Sequence, residues 1–82
     1  MNKDYILFNL REALEQLNDT IVNLENNDGY GIEEYEVDIK HLYHHINTAW
    51  NAKEATKKQG TECTERNFSK WRNFPQDVDM TF

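Results

Sequence analysis

Cysteine, proline and glycine are scarce in this chain, with one, one and three copies among 82 residues. Cys63 has no second thiol with which to close an internal disulfide, so the fold needs no oxidising compartment. The single proline, Pro75, disfavours helical geometry at Phe74 and marks the end of regular structure. Long apolar runs are absent too: the longest, Tyr5 to Phe8, covers four residues. That excludes a membrane span and the hydrophobic stretch of a signal peptide, and a soluble, cytoplasmic protein is the expectation. The only serine, Ser69, lies between Phe68 and Lys70 without a nucleophile-elbow pattern. No glycine-rich phosphate loop, internal repeat or low-complexity tract is present.

What remains is a chain of one domain, residues 1–82, with a modest core and little stability to spare unless association adds some. The apolar fraction is 38% and the net charge −6, which predicts folding with disorder confined to the ends. The charge is unevenly placed. Residues 1 to 52 carry ten carboxylates against Lys3, Arg11 and Lys40, a net of −7, whereas residues 53 to 73 carry six basic groups against three carboxylates, a net of +3. Acidic front and basic back can pair within one chain or between two. So acidic a chain argues against nucleic-acid binding along a phosphate track, which requires several phosphates to be neutralised at once.

Hydrophobic spacing sets the fold class. Leu7, Leu10, Leu14, Leu17, Ile21 and Leu24 recur at intervals of three and four, the a/d pattern of a helix packed along a seam, and predict a helix from about residue 4 to 26 with Asp4 as N-cap. "NNDGYG" should turn the chain over residues 27–31 through left-handed backbone at Asn or Gly. Ile32, Tyr35, Ile39, Leu42, Ile46 and Ala49 repeat the spacing, widened by Tyr43 and Trp50. They predict a second helix over about 32–58, with Glu33 and Glu34 at the positive pole of its dipole and Lys53, Lys57 and Lys58 at the negative one. Thr61 caps a short third helix over about 62–73 carrying Phe68 and Trp71, and 74–82 reads as an extended tail. The expected architecture is therefore all-α: an antiparallel helical hairpin of two long helices plus a short C-terminal helix. Helices of about 23 and 27 residues run roughly 35 and 40 Å, and such a hairpin has an open side. The cluster of Phe68, Trp71 and Phe74 folds over it, and a second copy completes a four-helix bundle.

"HLYHHINTAWN", residues 41–51, is the densest cluster of functional side chains. A helical wheel places Leu42, Tyr43, Ile46, Ala49 and Trp50 on the buried stripe, accounting for the aromatics by packing. His41 and His45, at i and i+4, share a flank with Asp38, whereas His44 points nearly the opposite way. Two imidazoles one turn apart can reach one metal ion, with Asp38 adding an oxygen ligand. The plainer reading, and the favoured one, pairs Asp38 with His41 or His45 on the helix surface. The hydrolytic version lacks its base, because Leu42 stands where H-E-x-x-H requires Glu. Asn47 and Asn51, on the other flank, can hydrogen-bond across to another helix or fix its register, or lie on the surface without consequence. "RNFSKWRNF", residues 66–74, interleaves aromatic and basic residues; an amphipathic cap on the hairpin is preferred over a base-stacking strip.

No enzymatic activity, cofactor or membrane attachment is expected. The functional expectation is a small helical interaction or regulatory protein that acts as a homodimer. Two alternatives stand beside it: an acidic inhibitor or immunity-type protein that binds a basic partner, and a metal-binding protein using Asp38, His41 and His45.

Overall fold

The computed structural model describes residues 1–53 and 71–81, and among these the protein is helical with no strand. Two helices, α1 (Lys3–Asn26) and α2 (Ile32–Asn51), pack against each other. They run antiparallel, because Asn9 of α1 meets His45 of α2 while Gln16 meets His41.

The ends of α1 are built from asparagine. Asn2 rather than Asp4 is the N-cap: its side-chain oxygen accepts from the Tyr5 N–H at 3.1 Å, leaving Asp4 in the first turn, where its charge suits the dipole. At the other end Asn27 is extended (φ −116°, ψ 102°), and Gly31 has φ −112°. Left-handed backbone at these two positions is therefore not what turns the chain. The Asn27 side chain accepts from the Gly29 N–H at 3.0 Å and its carbonyl accepts from the Tyr30 N–H at 3.0 Å, an Asx-turn superimposed on a β-turn. Gly31 caps α2, with its N–H donated to Glu34 Oε2 at 3.0 Å, the reach-back half of a capping box.

α2 closes at Asn51. Ala52 N–H reaches Thr48 O at 3.0 Å and Lys53 N–H reaches Trp50 O at 3.2 Å, forming a turn where the spacing had predicted helix onward to 58. Residues 54–58 lie outside the described residues, as does the expected third helix apart from Trp71, Arg72 and Asn73. Neither helix has a basic residue in its last turn. The Lys53 ammonium instead pairs with Asp77 at 2.9 Å and lies 4.4 Å above the Trp50 ring.

The face that joins the helices is not the leucine stripe. On α1 the partly or fully buried positions include Ile6, Asn9, Ala13, Gln16, Thr20 and Asn23, a heptad pattern one residue ahead of the leucines. On α2 they include Asp38, Leu42, His45 and Ala49, followed by Ala52 at its C-cap. Ala13, Ala49 and Ala52 are 4%, 8% and 0% exposed, and such small side chains let the helix axes approach closely. Asn9, Thr20 and His45, at 3%, 3% and 7%, are the seam's most deeply buried polar members. Hydrogen-bond matching therefore does much of the work that apolar area does in most hairpins.

Residues 71–81 return to the open end. Trp71, 5% exposed, sets its ring 5.7 Å from that of Tyr5, so this member of the predicted capping cluster is in place. Phe74 stays 62% exposed, and Phe68 lies outside the described residues. Asn47 and Asn51 hold the returning backbone: Asn47 donates to Arg72 O at 3.0 Å, and Asn51 to Trp71 O and Asn73 O, both at 2.7 Å. These two residues do cross, but to backbone carbonyls of the returning segment and not to α1.

Candidate functional site

Two features of the hairpin have functional potential: a histidine pair at the edge of the polar seam, and an apolar face on the other side. The pair comes from adjacent turns of α2. His41 Nε2 and His45 Nε2 stand 3.3 Å apart, with ring centroids at 4.7 Å in an edge-to-face arrangement. Each Nδ1 is held by an amide oxygen from α1: His45 Nδ1 by Asn9 Oδ1 at 3.0 Å, and His41 Nδ1 by Gln16 Oε1 at 2.6 Å. Burial, followed by the charges of His44 and His41, holds the His45 pKa below the ordinary imidazole value of 6.5.

Asp38 does not join the pair. Its carboxylate accepts from Tyr30 Oη at 2.6 Å, tying the loop between the helices to the second turn of α2. Partial burial, then the bond to Asp38, pushes the Tyr30 pKa up from 10.0 to about 12. The flank of one carboxylate and two imidazoles read from the wheel is thus split between two partners. Among the described residues no group of three His, Cys, Asp or Glu side chains converges. His44 does not point away as expected. Its ring lies 4.7 Å from that of His45, and it lines an open hollow of about 400 Å³ with Lys40, His41, Tyr43, Arg72 and Asn73. Burial, then His41 and Arg72, lowers its pKa.

The partners Asn9 and Gln16 were missed in the sequence. Both sit one residue ahead of a leucine in the same heptad register, which marks a shared helix face but not the partners they meet.

The apolar face has the opposite character. Along α1 the stripe Leu7, Leu10, Leu14, Leu17, Ile21 and Leu24 is exposed by 41% at Leu17 to 58% at Leu14. Along α2, Tyr35, Tyr43, Ile46 and Trp50 are exposed by 41%, 54%, 44% and 37%, while Ile39 and Leu42 are half-buried. On both helices this stripe follows the seam by one residue, a rotation of about 100°. Because the helices are antiparallel, that rotation carries both stripes to the same side of the hairpin. At the loop end Leu24, Ile32 and Tyr35 line one shared hollow of about 540 Å³. His41 lies one position before the seam residue Leu42, so the histidine pair sits toward the other side.

Among the described residues no helix is long and apolar enough to cross a membrane. Comparison of the chain with protein-family models, with curated proteins and with solved structures gave no match.

Proposed function

We propose that the protein is a non-catalytic helical interaction protein that works as a homodimer, two hairpins packing apolar face to apolar face as a four-helix bundle. The supporting observation is that ten large apolar side chains, six on α1 and four on α2, stay exposed on one side of the hairpin, outside the seam that joins the two helices. At these exposures the ten side chains of the face hold on the order of 800 Å² of accessible surface per chain, one partner's share of a standard interface. A second copy is the fitting occupant. Its face is equally long, carries the same heptad spacing and can satisfy a two-fold axis.

The test is molar mass in solution as a function of protein concentration, by sedimentation or light scattering. A concentration-dependent dimer that persists in high salt supports the proposal. A monomer at all concentrations overturns it.

One observation favours a second reading. Among the described residues, none of the carboxylates of residues 1 to 52 takes part in an ion pair; the only one found joins Lys53 to Asp77. The excess of ten carboxylates over three basic groups in residues 1 to 52 suits a basic protein partner, in the manner of an inhibitor or immunity protein. Partner capture that collapses as salt is raised separates this reading from self-association, which is apolar and tolerates salt.

A further inference from the structure

The tautomers of the histidine pair are fixed by groups that lie outside it. Asn9 cannot be turned end for end, because its Nδ2 donates to Tyr5 O at 3.1 Å, so the atom facing His45 is an oxygen. Gln16 is fixed in the same way. The Thr20 hydroxyl donates to Gln16 O at 2.8 Å and accepts from Gln16 Nε2 at 3.1 Å, which leaves Oε1 for His41. An amide oxygen only accepts, so both imidazoles must carry their proton on Nδ1. In the neutral state both Nε2 atoms are then bare lone pairs, brought to 3.3 Å of each other. Two acceptors at that distance repel unless they share a cation.

We infer that His41 Nε2 and His45 Nε2 are the protein ligands of a divalent transition-metal ion of the zinc class, oriented from behind by Gln16 and Asn9. Two imidazole nitrogens bound to one tetrahedral zinc at 2.0–2.1 Å lie about 3.3 Å apart, so the pair is already at ligating distance. The Nδ1–H to amide-oxygen bonds are the usual outer support of ligating histidines, fixing ring orientation and raising the basicity of Nε2. Imidazole pairs suit zinc, copper and nickel. His41 is exposed and borders the open hollow, so water can complete the coordination and the ion has a way in. Arg72 acts on His44, which is not a ligand in this assignment. Asp38, bound to Tyr30, is not one either.

The rival occupant is a proton shared between the two imidazoles. Protein stripped with a chelator is titrated with zinc at neutral pH, read by a competing chromogenic chelator and by imidazole ¹⁵N chemical shifts. The expected result is saturable binding of one zinc per chain at micromolar metal, with both Nε2 resonances shifted and both Nδ1–H protons retained. His41→Gln, at an exposed position that keeps the fold, abolishes saturable binding. Gln16→Leu leaves both ligands in place but removes one orienting acceptor, and it weakens binding by about ten- to a hundredfold. His44→Gln and Leu14→Glu bind as the parent does, the second showing that the site does not require self-association. Absence of saturable binding at micromolar zinc, or binding that His41→Gln leaves unchanged, overturns the assignment and leaves the pair as a proton-sharing contact of the seam.

Discussion

Leu14→Glu separates the folding of the hairpin from its assembly. Leu14 is 58% exposed in the single chain, so the substitution removes little from the hairpin itself. Glu is a good helix former, and the expected change in the isolated chain is within about 0.5 kcal/mol. In the face-to-face dimer that exposed area is buried. Full burial of a leucine is worth about 1.5–3 kcal/mol, so the remaining fraction contributes roughly 1–1.5 kcal/mol per copy and about 2–3 kcal/mol per dimer. Placing two carboxylates in the apolar interface costs at least a further 1–2 kcal/mol or so. The sum, about 4 kcal/mol, raises the dissociation constant by roughly three orders of magnitude. Sedimentation velocity over about 1 to 200 µM protein reads the shift directly, and far-UV circular dichroism reports whether the helices persist. The parent's melting temperature should rise with concentration and the variant's should not. A variant that dimerises like the parent while remaining helical refutes the assignment of this face.

Three other outcomes follow from the seam and the C-terminal crossing. Ala13→Leu introduces a large side chain at a position 4% exposed between closely approaching helices, and chemical denaturation should show a loss of about 1–3 kcal/mol from overpacking. Asn51→Ala removes the donor shared by Trp71 O and Asn73 O; hydrogen exchange should rise for residues 71–81 while α1 is unaffected, at a cost of about 1–2 kcal/mol. Tyr30 should ionise near pH 12 in a spectrophotometric titration, with Asp38→Asn moving it back toward 10.0. Because its folded value is raised, the fold keeps this contribution below pH 10 and loses it as pH climbs toward 12; ionisation of Tyr30 at its ordinary 10.0 contradicts the Tyr30–Asp38 bond.

The helices and their order were legible from spacing alone, since the leucine rhythm of residues 7–24 and the apolar rhythm of 32–49 each mark a helix. The face that pairs the helices was not. Hydrophobic periodicity identifies a surface that prefers to leave water, but it does not say whether the cover is the next helix or another molecule. Here the next helix is met by Asn9, Ala13, Gln16 and Thr20, and the partners of Asn9 and Gln16 across the seam lie 36 and 25 residues away. Nothing local announces such pairings. The caps show the same limit at short range: Asn2 and Asp4 are both competent, and position relative to Tyr5 N–H decides between them. Asp38 fitted the histidines by helical spacing and yet went to Tyr30, eight residues back, because the loop folds a phenol onto that turn.

A seam of directional bonds also fixes alignment. Leucines on facing helices can slide past one another by a turn at modest loss, but sliding here would pull His45 from Asn9, His41 from Gln16 and Tyr30 from Asp38 together. The polar seam therefore acts as a ruler: by allowing the helices one longitudinal offset, it sets the leucines of α1 level with the aromatics of α2 and presents the outer face as a single, repeatable surface.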